Sequence, residues 1–283
     1  MSRHIRRKEI SNLDSLLAYI YEEYIEIREE DFTLHYRVFD VIFQQLRKKM
    51  EEVDELYKRH TSTVDFMGSH YDRLRIKKPD EFDTFNIIKL PSAIVACPDF
   101  QIKAREAAFV YIKMGVKCRN VLMNGPNSDI DRKILTWIDS SGYLRRSCLF
   151  YWYKGVVDRA LNEFKRNTNY AVFHVDGKQY TVIRSESGPA ITLKIKSVNG
   201  KFNMDVDLVP ALKFSEDLWP PGPGYVEIPP GCNKGHWMVV PKPNKYKKGV
   251  VKQRSWRIAM PQQERQMIHN SYNLRQAIRL VLY

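Results

Sequence analysis

The chain has 283 residues, enough for one large domain or two lobes sharing a core, and 43% of them are hydrophobic. Its 46 Lys and Arg against 33 Asp and Glu leave a net charge of +13, which points toward a polyanionic partner. No run of about 18 apolar residues exists, and the basic start MSRHIRRKEI lacks an apolar core, so neither a membrane span nor a secretory leader is expected and a cytoplasmic location is.

Residues 10–30 read as a helix with Leu13, Leu16, Leu17 and Ile20 on one stripe. Residues 33–58 read as a second, long helix, because Phe39, Phe43, Leu46, Met50 and Val53 recur at the spacing of one buried face. Gly68-Ser69 follows. A Gly-Ser turn opening a helix can hold a phosphate on backbone N–H groups and a hydroxyl. The next stretch carries Arg73, Arg75, Lys77 and Lys78, suited to screening a triphosphate or touching a nucleic-acid backbone. Residues 81–90, EFDTFNIIKL, then favour a strand, which puts Glu81 and Asp83 on one face and Phe82 in a core.

Residues 102–114 and 129–166 are expected to be mainly helical. Residues 169–209 read as β, with Asp176-Gly177 and Asn199-Gly200 as hairpin turns between alternating apolar runs. The second turn brings in MDVDLV at 204–209, where Asp205 and Asp207 share a face above buried Val206 and Leu208. Residues 219–231, WPPGPGYVEIPPG, look like an irregular crossing. Residues 241–254 hold Lys242, Lys245, Lys247, Lys248, Lys252 and Arg254 with no acid, and Arg3, Arg6, Arg7 and Lys8 form a second basic run. Such runs are often solvated loops. Residues 258–282 return to helix. The four cysteines, Cys97, Cys118, Cys148 and Cys232, lack C-x-x-C spacing and read as free thiols rather than a disulfide frame or a zinc site.

An E-x-D pair on a strand is usually a solvated edge. Gly68-Ser69, twelve residues upstream, sets this one apart. Three carboxylates from Glu81, Asp83 and Asp207 converging on one sheet face repel one another unless a cation lies between them. All-oxygen ligands suit two Mg²⁺ or Mn²⁺ ions of a phosphoryl- or nucleotidyl-transfer centre.

On these residues the chain resembles the cyclic GMP–AMP synthase-like receptors of the nucleotidyltransferase superfamily. The matching strings are GSHYDRLRIKKPDEFDTFNI at 68–87, VDLVPAL at 206–212, HWMVVPKP at 236–243 and SWRIAMPQQERQMI at 255–268, with YLRRSCLFYWYKGVVDRALNEF at 143–164 like the helix before the second sheet region. The resemblance spans residues 30–283. It implies an α/β (α+β) bilobal nucleotidyltransferase fold with a mixed sheet, a long N-terminal spine helix and an incomplete C-terminal helical lobe. The division expected is a nucleotidyltransferase core at 1–212 and an inter-lobe segment with the start of a helical lobe at 213–283.

The resemblance also implies an enzyme that makes a cyclic dinucleotide from ATP and GTP on activation by double-stranded RNA, as an innate-immune sensor, with any oligomer formed on RNA. Ser69, Glu81, Asp83 and Glu264 would serve ATP, and Asp207, Arg257 and Glu264 would serve GTP. The basic run Lys242–Arg254 would meet the duplex. No structural zinc is expected, because MIHNSYNL at 267–274 stands where related chains carry a zinc-binding insertion. Three positions depart from the pattern: Ala259 and Pro261 replace hydroxyl residues, and Leu282 stands where a phosphate-binding lysine belongs, with Arg279 at the preceding basic position. Those departures imply lower activity than in longer relatives. Two other readings stay open: a weakly catalytic binding or developmental protein, and a nucleotidyltransferase making linear oligonucleotides.

Overall fold

In the computed structural model, residues 12–27, 29–68, 74–76, 78–165, 169–220, 232, 235–269 and 271–282 are described. The N-terminal basic run, Ser69, Arg73, Lys77 and most of the 219–231 crossing lie outside them.

Helix α1 (Leu13–Ile20) starts at Asn12, whose side chain accepts from the Ser15 amide while the Ser15 hydroxyl accepts from the Asn12 amide. It runs into a π-helical turn, Tyr21–Ile25. None of its own residues is buried: Leu13 and Leu16 are exposed, and Leu17 lines a groove with Leu280 rather than a core. Helix α2 (Glu29–Val53) buries Val38, Phe39, Ile42, Phe43, Leu46 and Met50, and Glu29, Glu30 and Asp31 complement its N-terminal dipole. It does not continue to residue 58. Asp54 leaves helical geometry, and its carboxylate accepts from the Tyr57 amide, capping a separate helix α3 (Glu55–His60).

One ten-stranded sheet organises the chain: β1 Thr61–Met67, β2 Glu81–Ile88, β3 Phe100–Glu106, β4 Phe109–Met114, β5 Ala171–Val175, β6 Lys178–Ser187, β7 Ala190–Ser197, β8 Asn203–Ser215, β9 His236–Val240 and β10 Trp256–Ala259. The path is β3-β4-β10-β9-β8-β7-β6-β5, and β2, paired with β1, joins at β8. The β2–β8 pairing is parallel and unbroken from Glu81↔Asp205 to Ile88↔Leu212, whereas the others are antiparallel. The sheet is therefore mixed, as expected. Both Gly hairpins are present, at β5–β6 and β7–β8.

The expectation for 102–114 is wrong: these residues form the β3–β4 hairpin. Ala, Lys, Arg and Glu suggest helix, but Val110, Ile112 and Met114 are buried at period two and Ala108 takes the turn at φ +64° without a glycine. The expectation for 129–166 holds in part. A short helix, Ser128–Asp131, runs directly into a 3₁₀ stretch, Arg132–Trp137, and a turn at Gly142, φ +84°, separates these from helix α4 (Arg146–Asn162). Helices α5 (Pro261–His269) and α6 (Tyr272–Leu282) end the described chain after β10. No helix among the described residues is long and apolar enough to cross a membrane.

The main core lies between one sheet face and helices α2 and α4. Phe39 of α2 stacks on Phe82 of β2, centroids 4.8 Å apart and planes within 5°, so the spine helix registers the strand that carries the first acids. The helical side is tied by Asp54, whose side chain is 4% exposed. Its carboxylate accepts from the Tyr57 amide at 3.0 Å, Trp152 Nε1 at 3.3 Å, Lys133 Nζ at 3.0 Å and Arg159 Nη2 at 2.7 Å. Asp54→Ala strands the buried Trp152 donor and removes the α3 cap. It is expected to cost roughly 2–3 kcal/mol, read as a lower denaturant midpoint at unchanged m-value.

Candidate active site

The sheet has a second face with a smaller buried cluster, Phe85, Ile87, Ala190, Val209, Ala211, Met238 and Val240, with Met67 and Ala259 packed on it. Strand alternation puts Glu81 and Asp83 on this face ahead of Phe85 and Ile87, and Asp205 and Asp207 ahead of Val209 and Ala211. Phe82, Val206 and Leu208 are buried in the main core, as the sequence reading expects.

The parallel register sets Asp207 directly beside Asp83 on one flank and beside Thr192 on the other. Ligand atoms of Glu81, Asp83 and Asp207 all lie within 4.8 Å of one another, and Asp205 is exposed and outside this group. Gly68 closes one side at φ +75°. A Cβ there would sit 1.8 Å from Asp83 Oδ2, so the turn admits only glycine in both conformation and space.

Asp207 and Glu81 are held differently. Asp207 Oδ1 accepts from the Thr192 hydroxyl at 2.6 Å, and its backbone carbonyl accepts from the Thr84 hydroxyl at 3.0 Å. Thr84 also accepts from Asn86 Nδ2 at 3.3 Å, a fully buried polar pair under the site. Burial pushes the Asp207 carboxyl above the ordinary aspartate range; the Thr192 bond pulls it down, and the charges of Glu81 and Asp205 add to the rise. Glu81 instead accepts from Arg75, whose guanidinium also reaches Asp80. Thr192, Thr84 and Asn86 were not singled out by the sequence reading. The polar Thr84 and Asn86 at core-facing positions of β2 were the available signal.

The remaining site candidates lie elsewhere. Arg257 is opposite Val240 on β10, hence on the acid face, exposed, with its guanidinium 5.4 Å from the Phe109 ring centroid. Ala259 packs on the apolar floor. Glu264 is exposed in the first turn of α5, a helix fastened by Arg265 to the Phe66 carbonyl and by Gln263 to the His236 carbonyl. Arg279 is engaged with Tyr21 of the π-helical turn, and the Leu282 side chain lies outside the described residues.

Residues 70–270 match the Mab-21 protein nucleotidyltransferase domain. The chain belongs to this nucleotidyltransferase family. It is similar to a cyclic GMP-AMP synthase-like receptor of Ctenocephalides felis, 33% identical over 96% of this chain and 63% of that one. A receptor of the same description from Aethina tumida is 29% identical over 95% of this chain and 64% of its own. A cyclic GMP-AMP synthase-like protein of Drosophila melanogaster is 22% identical over 92% and 65%. The chain thus spans somewhat under two thirds of the length of these relatives. The resemblance read from the motifs and the nucleotidyltransferase fold are borne out.

Within the 241–254 basic run of this Mab-21 family chain, Lys247 and Arg254 are engaged by acids from elsewhere in the chain. Lys247 pairs with Glu106 at 2.8 Å, and Arg254 pairs with Asp139 at 2.5 Å and lies 4.5 Å from the Tyr143 ring centroid. Arg146 pins the same segment through the Pro241 and Lys252 carbonyls. Lys242, Lys245 and Lys248 stay exposed and Lys252 is half-buried, around a Tyr246 that is 94% exposed. Cys97 and Cys118 come together with Asp99, within 4.8 Å, a grouping their spacing did not reveal. Asp99 accepts from the Lys117 and Cys118 amides at the start of helix Val116–Asn124 and from the Cys118 thiol. Burial pushes that thiol up to about 12, which keeps it protonated and structural.

The raised Asp207 carboxyl has a signed consequence for stability. A carboxyl whose folded-state pKa exceeds its unfolded value destabilises the fold as pH rises through that folded value, and the penalty vanishes below the unfolded one. Asp207→Asn is therefore expected to stabilise the metal-free protein at neutral pH by about 1 kcal/mol, or about 2 °C in Tm. The difference between variant and wild type should disappear in acid, as thermal melts across pH will reveal.

Proposed function

We propose that this chain is a metal-dependent nucleotidyltransferase that joins ATP and GTP into a cyclic dinucleotide when it binds double-stranded RNA, acting as an innate-immune sensor. The observation that carries the reading is the approach of the Glu81, Asp83 and Asp207 carboxylates to within 4.8 Å on one sheet face. The donor set fits the ions invoked. It is all oxygen, and burial first, with the charges of Glu81 and Asp205 adding to it, raises the Asp207 carboxyl that a cation would relieve. Two Mg²⁺ or Mn²⁺ ions held there would lower the pKa of an acceptor ribose hydroxyl and steady the pyrophosphate leaving group.

The residues divide the remaining work. Thr192 aims Asp207, and the Thr84 hydroxyl fixes the backbone carbonyl of the same residue. Gly68 lets the turn approach Asp83 closely, and Ser69 next to it would offer a hydroxyl to the donor triphosphate. Arg257 on the floor side of β10 would meet the acceptor base, and Glu264 on α5 would contact both nucleotides. The cytoplasm is the compartment proposed.

For the activator, Lys242, Lys245, Lys248 and Lys252 are the cations proposed to contact phosphates, with Lys247 and Arg254 shaping the loop. A-form RNA is read mainly through phosphates and 2′-hydroxyls, which needs this kind of surface and no base-reading code.

Labelled ATP and GTP with Mg²⁺ or Mn²⁺ and an RNA duplex should yield a phosphatase-resistant product. Asp83→Asn should lower its formation by roughly three orders of magnitude, the several kcal/mol that a catalytic ion supplies. A linear product would favour the oligonucleotide-making alternative. RNA binding without any product would favour the binding-protein alternative, which the apolar packing of Ala259 supports. RNA affinity should fall steeply with salt, and alanine at Lys242, Lys245, Lys248 and Lys252 should flatten the log–log slope by roughly one unit per lost contact. Lys247→Ala should mainly lower Tm.

A further inference from the structure

Arg75 lies between the glycine turn and β2, and every arm of its guanidinium is committed. Nη1 donates to Glu81 Oε2, Nη2 to Asp80 Oδ1 at 2.6 Å, and Nε to the Lys78 carbonyl at 3.1 Å. The side chain is 20% exposed, well shielded for a cation at the mouth of a site. Its anchor is rigid, because the Asp80 carbonyl accepts from the Asp205 amide of β8 at 2.8 Å.

Nη1 already holds Glu81 Oε2, so a divalent ion at Glu81 must share the charge of one carboxylate with the guanidinium. Two cations drawn to one carboxylate also repel each other. An ion entering at Glu81 therefore weakens the Nη1 bond and favours its release. Asp80 and the Lys78 carbonyl would keep the released guanidinium close to the site, its fork turned outward, where the phosphates of an incoming nucleotide arrive.

We propose that Arg75 alternates between two anions. In the nucleotide-free site it stands in for the cation on Glu81; when the metal–nucleotide enters, it transfers to the triphosphate. This rests on the proposed metal role of Glu81, Asp83 and Asp207. The site would then stay closed to free metal and open to metal carried by nucleotide.

The test is Mn²⁺ binding to the whole chain, followed by electron paramagnetic resonance, with and without a non-hydrolysable ATP analogue. Arg75→Ala and Arg75→Gln should tighten Mn²⁺ alone by about tenfold and, at saturating Mn²⁺, weaken the analogue by about 10- to 100-fold, the range for a lost charge-assisted bond. The opposite signs are the signature, since a merely structural loss would weaken both. Arg75→Gln guards against misfolding of the alanine variant, and melts establish that each is folded. Lys194→Ala, at an exposed cation opposite Asp205, is the control for through-space charge and should change either affinity by less than about twofold. The proposal is overturned if neither Arg75 variant tightens Mn²⁺, if the analogue binds unchanged or tighter, or if Lys194→Ala reproduces the effect. Asp83→Asn separates the two levels. If it leaves Mn²⁺ binding intact, the metal reading itself fails and takes this one with it. If it abolishes binding while the Arg75 variants show no sign reversal, only the alternation falls.

Discussion

The parallel pairing of β2 with β8 is the constraint on which the rest depends. It joins residues more than a hundred positions apart in an unbroken run from Glu81↔Asp205 to Ile88↔Leu212, and it sets Asp83 and Asp207 side by side. A shift of one residue would send either pair of acids into the main core and bring Phe82 or Val206 to the surface. The register is held by what those residues bury. Phe82 stacks on Phe39 of the spine helix, and Val206 and Leu208 fill the same core. The hydrophobic side of the sheet thus fixes the geometry of its acidic side.

That geometry works against folding locally. Three carboxylates gather where burial already disfavours charge, and the protein offsets the cost with a hydroxyl on Asp207 and a guanidinium on Glu81. The helical half is arranged the other way. There a single buried carboxylate, Asp54, gathers two cations, an indole and a backbone amide, and locks three elements together. A few positions on one sheet face are left under strain while the scaffold around them is over-fastened, the pattern expected where function is carried against stability.

Much of this was legible in the sequence. The acids, their face and their apolar backing followed from alternation in EFDTF and MDVDLV, and the Gly-Ser turn distinguished them from a solvated edge. The two glycine hairpins and the buried stripe of α2 were equally direct. The β3–β4 hairpin was not, because its turn uses Ala107 and Ala108 and its exposed positions are helix formers, so composition outweighed a short alternating run. The break at Asp54 was hidden by an apolar period that continues past it. Nor does composition tell which cations are already spent: Lys247 and Arg254 look like their neighbours until Glu106 and Asp139 arrive from distant strands and turns. Thr192 was invisible as a partner of Asp207 for the same reason, since only the β7–β8 register brings it there.

Because the acidic centre straddles strands so distant in sequence, it has no local precursor. Loop-closure entropy must be met before β2 finds β8, whereas the hairpins and helices between them can form on their own. The centre therefore comes into being only when a long-range pairing of the fold has formed. Amides of β2 and β8 should exchange with solvent only through near-global opening, and anything that binds the assembled carboxylates acts as a clamp on the folding equilibrium of the whole sheet.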